Sequence, residues 1–241
     1  MVTGGSAGIG LELARRLAAE NQVVITGRDE ERLARARTEI AGVHTRRLDV
    51  SSEDEAHHAV AWVDAELGGL DVLVNNAGLL RGYRLADVDV AGKSNEDVEV
   101  NLLGTLRMTR LALPLLRLSG GGAIVFMSSA VALAAVPGFT VYAATKAAVH
   151  SLARSLRAEL KPMDIRVFEV LPPLVDTGPV RNLDVAKLSP GAVADAIIAG
   201  IERDREEIRV AQVRQLAIVA RIMPGLADRL VQRAFTSRSA V

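Results

Sequence analysis

Thr3-Gly4-Gly5-Ser6-Ala7-Gly8-Ile9-Gly10 runs without a break into LELARRLAAE at positions 11–20. The second segment has the periodicity of an amphipathic helix. The first is a glycine-rich turn that leads straight into it. Glycines let a backbone approach a pyrophosphate closely, and a helix N-terminus offers unpaired N–H groups and the positive end of a dipole. A glycine-rich turn with no ligand would look the same in isolation. Here a helix follows directly and a strand–helix unit follows that, which favours dinucleotide binding.

Outward from this loop, strand-like and helix-like segments alternate. Strands are expected at Gln22–Thr26, His44–Asp49, Asp71–Val74, Ala123–Met127, Ile165–Leu171 and Glu207–Val210, with helices at Glu30–Ala41, Glu53–Leu67, Asn95–Leu118, Tyr142–Leu160 and Ser189–Arg203. Ser189-Pro190 pairs a capping residue with proline at the first helical position. Continuous apolar strands between amphipathic helices require a parallel sheet covered on both faces. Right-handed crossovers then give an α/β fold, a single-domain Rossmann-type doubly wound parallel sheet. Positions 1–180 would carry cofactor binding and catalysis, and 181–241 the substrate pocket and a C-terminal helical region.

The 241 residues suit one well-buried domain. Apolar residues make up 49% of the chain, and 29 basic residues balance 29 acidic ones. That balance argues against a protein holding nucleic acid by bulk charge. The absence of cysteine removes disulfides, zinc–thiolate sites and cysteine nucleophiles. No apolar run approaches the ~20 residues of a membrane span, and the start lacks the pattern of a signal peptide. These features fit a cytoplasmic protein.

The end of the first of these strands bears on the cofactor. A carboxylate there would bond a ribose 2′-hydroxyl and repel a 2′-phosphate. The chain has Thr26-Gly27-Arg28 instead, and Arg28 can make charge-assisted bonds to a phosphate. NADP(H) is therefore favoured, with NAD(H) retained as the alternative and a solvated loop arginine as the plainer reading. Asp49 would bond the adenine amino group or form a turn.

In YAATK, Tyr142 and Lys146 stand four apart, on one face of a helix. A free phenol titrates near ~10, too high for acid–base work near neutrality. An ammonium at ~4 Å contributes up to ~4 kcal/mol at an effective dielectric of ~20, enough to lower that value by up to ~3 before burial opposes it. The other tyrosine, Tyr83, lies in an arginine-flanked loop with no lysine at helical spacing. Ser129 ends a buried strand, where α/β sheets place ligands, and its hydroxyl would bond a carbonyl or alkoxide oxygen. Ser128 competes, because adjacent strand residues face opposite ways. Asn101, in a long helix, would bend it and hold a water, or be a tolerated polar residue.

Together TGGSAGIG at Thr3–Gly10, NNAG at Asn75–Gly78, the Asn101 region, Ser128–Ser129 and YAATK at Tyr142–Lys146 resemble the short-chain dehydrogenase/reductase family. The resemblance runs from Thr3 to about Thr177. It implies Tyr142 as general acid–base, Lys146 binding the nicotinamide ribose and lowering the tyrosine pKa, Ser129 polarising the substrate oxygen and Asn101 holding a relay water. For the cofactor it implies Gly4, Ser6, Gly8, Ile9, Gly10, Arg28, Asp49, Val50, Asn75, Ala77, Gly78, Pro172, Val175 and Thr177, beside Tyr142 and Lys146. It also implies a homodimer or homotetramer acting on a small carbonyl or alcohol substrate. The alternative function is a non-catalytic dinucleotide-binding regulator or scaffold.

Two departures stand out. The family's first strand precedes the glycine loop, whereas only Met1-Val2 precede it here. Losing roughly four buried apolar side chains would forfeit ~6–12 kcal/mol, which rivals the ~5–15 kcal/mol stability of a domain. The first strand is thus expected to be truncated, with the natural start upstream. Pro172-Pro173 stands where the family usually has Pro-Gly, and resembles a subgroup related to an oxidoreductase of D-alanine–lipoteichoic acid operons.

The substrate pocket is expected to draw on Leu79–Asn95, Ala130–Thr140 and Pro173–Leu188. His44, His57, His58 and His150 show no metal-ligand spacing and read as structural or solvated. The tail Val213–Phe235 reads as an amphipathic helix covering the sheet edge or the pocket, with a subunit interface or a membrane surface as alternatives.

Overall fold

The computed structural model describes residues 1–86, 91–178 and 186–236. Six strands are present among them: β1 (Val24–Gly27), β2 (His44–Arg47), β3 (Val72–Asn75), β4 (Ala123–Met127), β5 (Arg166–Leu171) and β6 (Glu207–Arg209). The helices are α1 (Gly8–Leu17), α2 (Glu30–Glu39), α3 (Glu53–Leu67), α4 (Ala91–Val98), α5 (Gly104–Leu118), α6 (Thr140–Leu160), α7 (Pro190–Glu202), α8 (Val213–Ile222) and α9 (Pro224–Thr236).

All strand pairs are parallel. β1 pairs with β2, and β3, β4, β5 and β6 pair in that order. Met1 and Val2 join the two groups. Val2 bridges Ile25 on one side and Val74 on the other, and Val74 N donates to Met1 O at 2.8 Å while Thr26 N donates to Val2 O at 3.0 Å. The expected loss of a central strand is thus partly met. Two residues, both buried, hold the central position. From that centre the chain winds to β2 on one side, then crosses back to β3 and continues to β6. The reversal makes a switch point, and its crevice lies beyond the C-terminal ends of Met1-Val2, β1 and β3.

Alternate residues of the buried strands feed two cores. Ile124 and Phe126 of β4 join Leu73, Met108 and Leu160 under α3, α5 and α6. Val125 and Met127 join Leu13, Ile25 and Ile197 under α1, α2 and α7. The helix starts follow their caps. Asp29, Ser52 and Ser189 accept from the backbone N–H of Arg32, Glu55 and Ala192 at the heads of α2, α3 and α7.

Two helical expectations change. The helix expected over Asn95–Leu118 begins at Ala91 and is interrupted by a π-helical turn at Glu99–Leu103. Asn101 sits in that turn, with its side chain drawn to the backbone of Leu79. The single tail helix is two, separated at Met223-Pro224, where proline has no N–H to continue the ladder.

Candidate active site

Two adjoining cavities fill the switch-point crevice. One, of ≈360 Å³, reaches from Gly8 and Ile9 to Ser129, Tyr142, Lys146 and Pro173. The other, of ≈430 Å³, reaches from Ser6 to Arg28, Asp49 and Val50. Gly4, Arg32, Ala77, Gly78 and Leu79 line both, so the two form one elongated cleft.

Its floor depends on missing side chains. Gly4 has φ +63°, and a Cβ there would lie 2.8 Å from Ala77 Cα. At Gly78 a Cβ would point 3.2 Å from Asn101 Oδ1 and 3.6 Å from Lys146 Nζ. The helix behind the loop starts at Ala7, which supplies no side-chain cap. The first-turn N–H groups of α1 therefore have no side-chain acceptor. A cleft in two halves, an uncapped helix end and a glycine floor fit a dinucleotide.

Thr3 ties the loop to the end of β3. Its hydroxyl accepts from Asn76 N and Ala77 N, both at 3.0 Å, and Asn76 Nδ2 donates to the carbonyls of Thr3 and Gly4. Sequence reasoning named Asn75 here. Asn75 is buried and donates to Thr109 Oγ1 at 2.9 Å, away from the cleft, whereas Asn76 lines it. Successive residues at a strand end point to opposite sides, so of the two asparagines in NNAG it is Asn76, not Asn75, that lines the cleft. Gly10 does not line the cleft either. A Cβ there would lie 2.5 Å from Asn76 Nδ2, so its role is close packing.

At the other end of the cleft, Ser128 and Ser129 both contribute to the lining but differ in their hydrogen bonds. Ser128 Oγ is committed to the Lys146 carbonyl, to which it donates at 3.2 Å. Ser129 faces the cleft, within hydrogen-bonding reach of the Tyr142 phenol. Lys146 is buried and donates from Nζ to Met127 O at 2.7 Å, with Nζ 5.8 Å from the Tyr142 ring centre. Burial pushes the Tyr142 phenol up to about 12 against the opposing bond from Ser129, and brings the Lys146 ammonium down to about 8. The expected lowering of the tyrosine pKa by lysine is not seen in this arrangement: burial raises the phenol, and the one opposing influence is the bond from Ser129.

Asn101 is fully buried and does not line either cavity. Its Oδ1 accepts from Leu79 N at 2.7 Å, and its Nδ2 donates to Leu79 O at 2.9 Å and to Thr145 Oγ1 at 3.2 Å. It braces the cleft wall at Leu79 from behind. Thr177 closes the other side, with Cγ2 3.1 Å from where a Gly8 Cβ would stand, and Pro172 and Val175 line the same wall.

At the far end, Arg28 Nη1 lies 3.5 Å from Glu96 and 3.7 Å from Asp49. Asp49 also accepts from Ser51 N and Oγ, so it forms the turn that was one of its two readings. Burial raises its carboxyl, but the Ser51 bonds and the Arg28 charge prevail and hold it below the usual range. Arg32 was not anticipated. It lies in the first turn of α2, paired with Asp29 at 2.9 Å, and since Arg28 precedes the helix cap no helical spacing links the two arginines. Tyr83 donates to Asp97 at 2.8 Å and lines neither cavity.

Of the expected substrate segments, Leu79, Leu80, Ala130, Val131, Pro173 and Leu174 line the cleft. Positions 87–90 and 179–185 of those segments lie outside the described residues. The tail packs by one face against this region. Leu216 of α8 and Val231 of α9 join Val131, Val136 and Tyr142. Asp228 accepts from Ala135 N at 2.8 Å.

The chain is similar to proteins with the same organisation. The family model for short chain dehydrogenase matches residues 1–187. The uncharacterized oxidoreductase DltE of Bacillus subtilis is 34% identical over 229 residues, covering 90% of this chain and 89% of that protein. A short chain dehydrogenase from Burkholderia cenocepacia, solved in complex with NADP, superposes with a TM-score of 0.83 at 29% identity, covering 97% of this chain and 94% of that one. A 3-ketoacyl-(acyl-carrier-protein) reductase from Brucella melitensis, solved with NADH, gives 0.81 at 27% identity, with 87% and 94% coverage.

Proposed function

The chain belongs to the short-chain dehydrogenase family of oxidoreductases, and from that membership we propose that it interconverts a carbonyl compound and a secondary alcohol with NADP(H). The observation that carries this reading is the convergence of Tyr142, Ser129 and Lys146 on one end of a cleft whose other end holds Arg28 and Arg32.

When bound, a nicotinamide cofactor supplies or accepts the hydride. Gly4, Gly8 and the head of α1 would hold its pyrophosphate. Arg28 and Arg32 would hold a 2′-phosphate, and Lys146 the ribose on the nicotinamide side. In reduction, Tyr142 donates its proton to the carbonyl oxygen as the carbon becomes tetrahedral. Ser129 donates a hydrogen bond to that oxygen and stabilises its developing charge. Oxidation of the alcohol runs through the same groups in reverse. A phenol held at about 12 stays protonated at neutral pH and so is ready as the donor for reduction. The apolar lining at Leu79, Leu80, Val131 and Leu174 favours an apolar substituent on the substrate carbonyl.

The test is a panel of carbonyl and alcohol compounds, followed by cofactor absorbance with NADP(H) and NAD(H) in parallel. Tyr142→Phe is expected to abolish turnover while cofactor binding survives. Turnover retained in that variant would sink the assignment.

A further inference from the structure

The helices α8 and α9 have a second face that the cleft does not use. Ile218, Ile222, Met223, Leu226 and Leu230 are all exposed, Ile222 at 72%, within one thirteen-residue stretch. At about 100° per residue, Ile218 and Ile222 stand together on α8, with Arg214 and Arg221 within about 60° on one flank. Leu226 and Leu230 stand together on α9, with Arg229 and Arg233 on one flank in the same way. All four arginines are exposed, and among the described residues none is in an ion pair. The sole acid of the two helices, Asp228, is engaged with Ala135 N on the opposite, inward side.

Further arginines lie at the start of α8, interleaved with the exposed acids Glu202, Asp204 and Glu206. At the start of α8 a cavity of ≈570 Å³ is lined by Arg203, Arg205, Arg209 and Arg214. Its one acid, Glu207, is paired with Arg209. Among the described residues no helix is long and apolar enough to cross a membrane. Exposed apolar pairs flanked by arginine are the pattern of a helix lying in a membrane interface.

We propose that the outer face of α8 and α9 docks this protein on an anionic lipid surface. Ile218, Ile222, Leu226 and Leu230 enter the headgroup region, while the flanking arginines Arg214, Arg221, Arg229 and Arg233 meet lipid phosphates. A second copy of the chain fits less well. Neither helix carries a free acid with which a second copy could oppose these arginines. The inference stands on this surface alone and does not depend on the reaction assigned to the cleft.

The experiment is co-sedimentation of the full chain with phosphatidylcholine vesicles and with vesicles of equal phosphatidylcholine and phosphatidylglycerol. The protein is expected to sediment with the anionic vesicles, to stay in solution with the neutral ones, and to be released by salt. Ile222→Asp with Leu226→Asp, and separately Arg221→Glu with Arg229→Glu, should each lower partitioning roughly tenfold or more. Cofactor binding, which reports that the variants fold, should not change. Equal binding to both vesicles would overturn the proposal, as would no binding to either. A shift in oligomeric state on Ile222→Asp without any vesicle binding would assign the face to self-association instead.

Discussion

Lys146 Nζ lies 5.8 Å from the centre of the Tyr142 ring and gives its hydrogen bond to the Met127 carbonyl, at 2.7 Å. The two groups are thus neighbours without a direct bond between them, and burial moves them in opposite directions: the phenol up to about 12 and the ammonium down to about 8. Reduction needs the proton on Tyr142 and the charge on Lys146. Both are present at low pH. As pH rises, the lysine loses its charge first. Reductive kcat/KM should therefore be level through neutrality and fall as pH passes about 8. Alcohol oxidation needs the phenolate and should rise with pH. In Lys146→Met the reductive rate should be lower and the fall near the lysine value absent. A wild-type profile that stays level well above that value would contradict the arrangement.

Arg28 is already engaged at the far end of the cleft, 3.5 Å from Glu96 and 3.7 Å from Asp49. Glu96 is itself paired with Arg81 at 2.8 Å. A 2′-phosphate competes with these carboxylates for the guanidinium. An exposed ion pair is worth ~0.2–1 kcal/mol, so Glu96→Gln should tighten NADPH binding about two- to fivefold and leave NADH binding unchanged. Arg28→Ala removes a charge-assisted bond worth ~1.5–3 kcal/mol and should weaken NADPH roughly 10- to 100-fold. Titration of both cofactors into each variant checks this. Equal effects on NADPH and NADH would place the 2′-phosphate elsewhere.

Which parts of this were legible in the sequence follows from how local their causes are. Glu53–Leu67 and Ala123–Met127 agree with expectation residue for residue, because apolar period, cap and buried run are all local signals. The sequence expects Asn101 to bend its helix, and a π turn does interrupt the helix there, but the partner that Asn101 bonds, Leu79, is 22 positions away and leaves no local signal. The four-residue spacing of Tyr142 and Lys146 gave the pair, but their desolvation is a property of the packed core and reverses the expected direction for the phenol. Asn75 and Asn76 differ by one residue in register, and only the strand end decides which one reaches the cleft. The central strand position is held by backbone bonds from Met1 and Val2 to β1 and β3, which no count of lost apolar side chains would reveal.

Gly10 and Gly92 offer a matched pair of substitutions. A Cβ on Gly10 would stand 2.5 Å from Asn76 Nδ2 and 2.7 Å from Gly4 O, so the glycine loop must shift to admit it. Overpacking of this kind costs ~1–3 kcal/mol. Gly10→Ala should therefore lower Tm by roughly 2–12 °C and weaken cofactor binding with it. A Cβ on Gly92, an exposed residue in α4, would meet nothing within 4 Å. Gly92→Ala should raise stability by up to ~1 kcal/mol, because alanine loses less backbone entropy in a helix. Thermal melts and cofactor titrations of the two variants separate the effects. Equal melting points would mean that the loop is not held as tightly as these distances require.

Asn101 has no surface in the cleft, yet it fixes one of its walls. Its two bonds to the Leu79 backbone, at 2.7 and 2.9 Å, satisfy an N–H and a carbonyl behind the lining residues Leu79 and Leu80. Asn101→Ala leaves both without their partner. Each part-buried group so orphaned costs up to ~1–3 kcal/mol, and a loss of at most about 2–6 kcal/mol is expected. If the side chain acts by positioning the wall, KM for the carbonyl substrate should rise more than kcat falls, because the proton donor and its hydroxyl partner lie on other elements. Asn101→Asp keeps the acceptor for Leu79 N and loses the donors to Leu79 O and Thr145, so it should not restore the wall. If instead Asn101 holds a proton-relay water, kcat should fall with KM unchanged, and the pH profile of kcat should change with it. Steady-state kinetics of the two variants across pH distinguishes a braced wall from a relay.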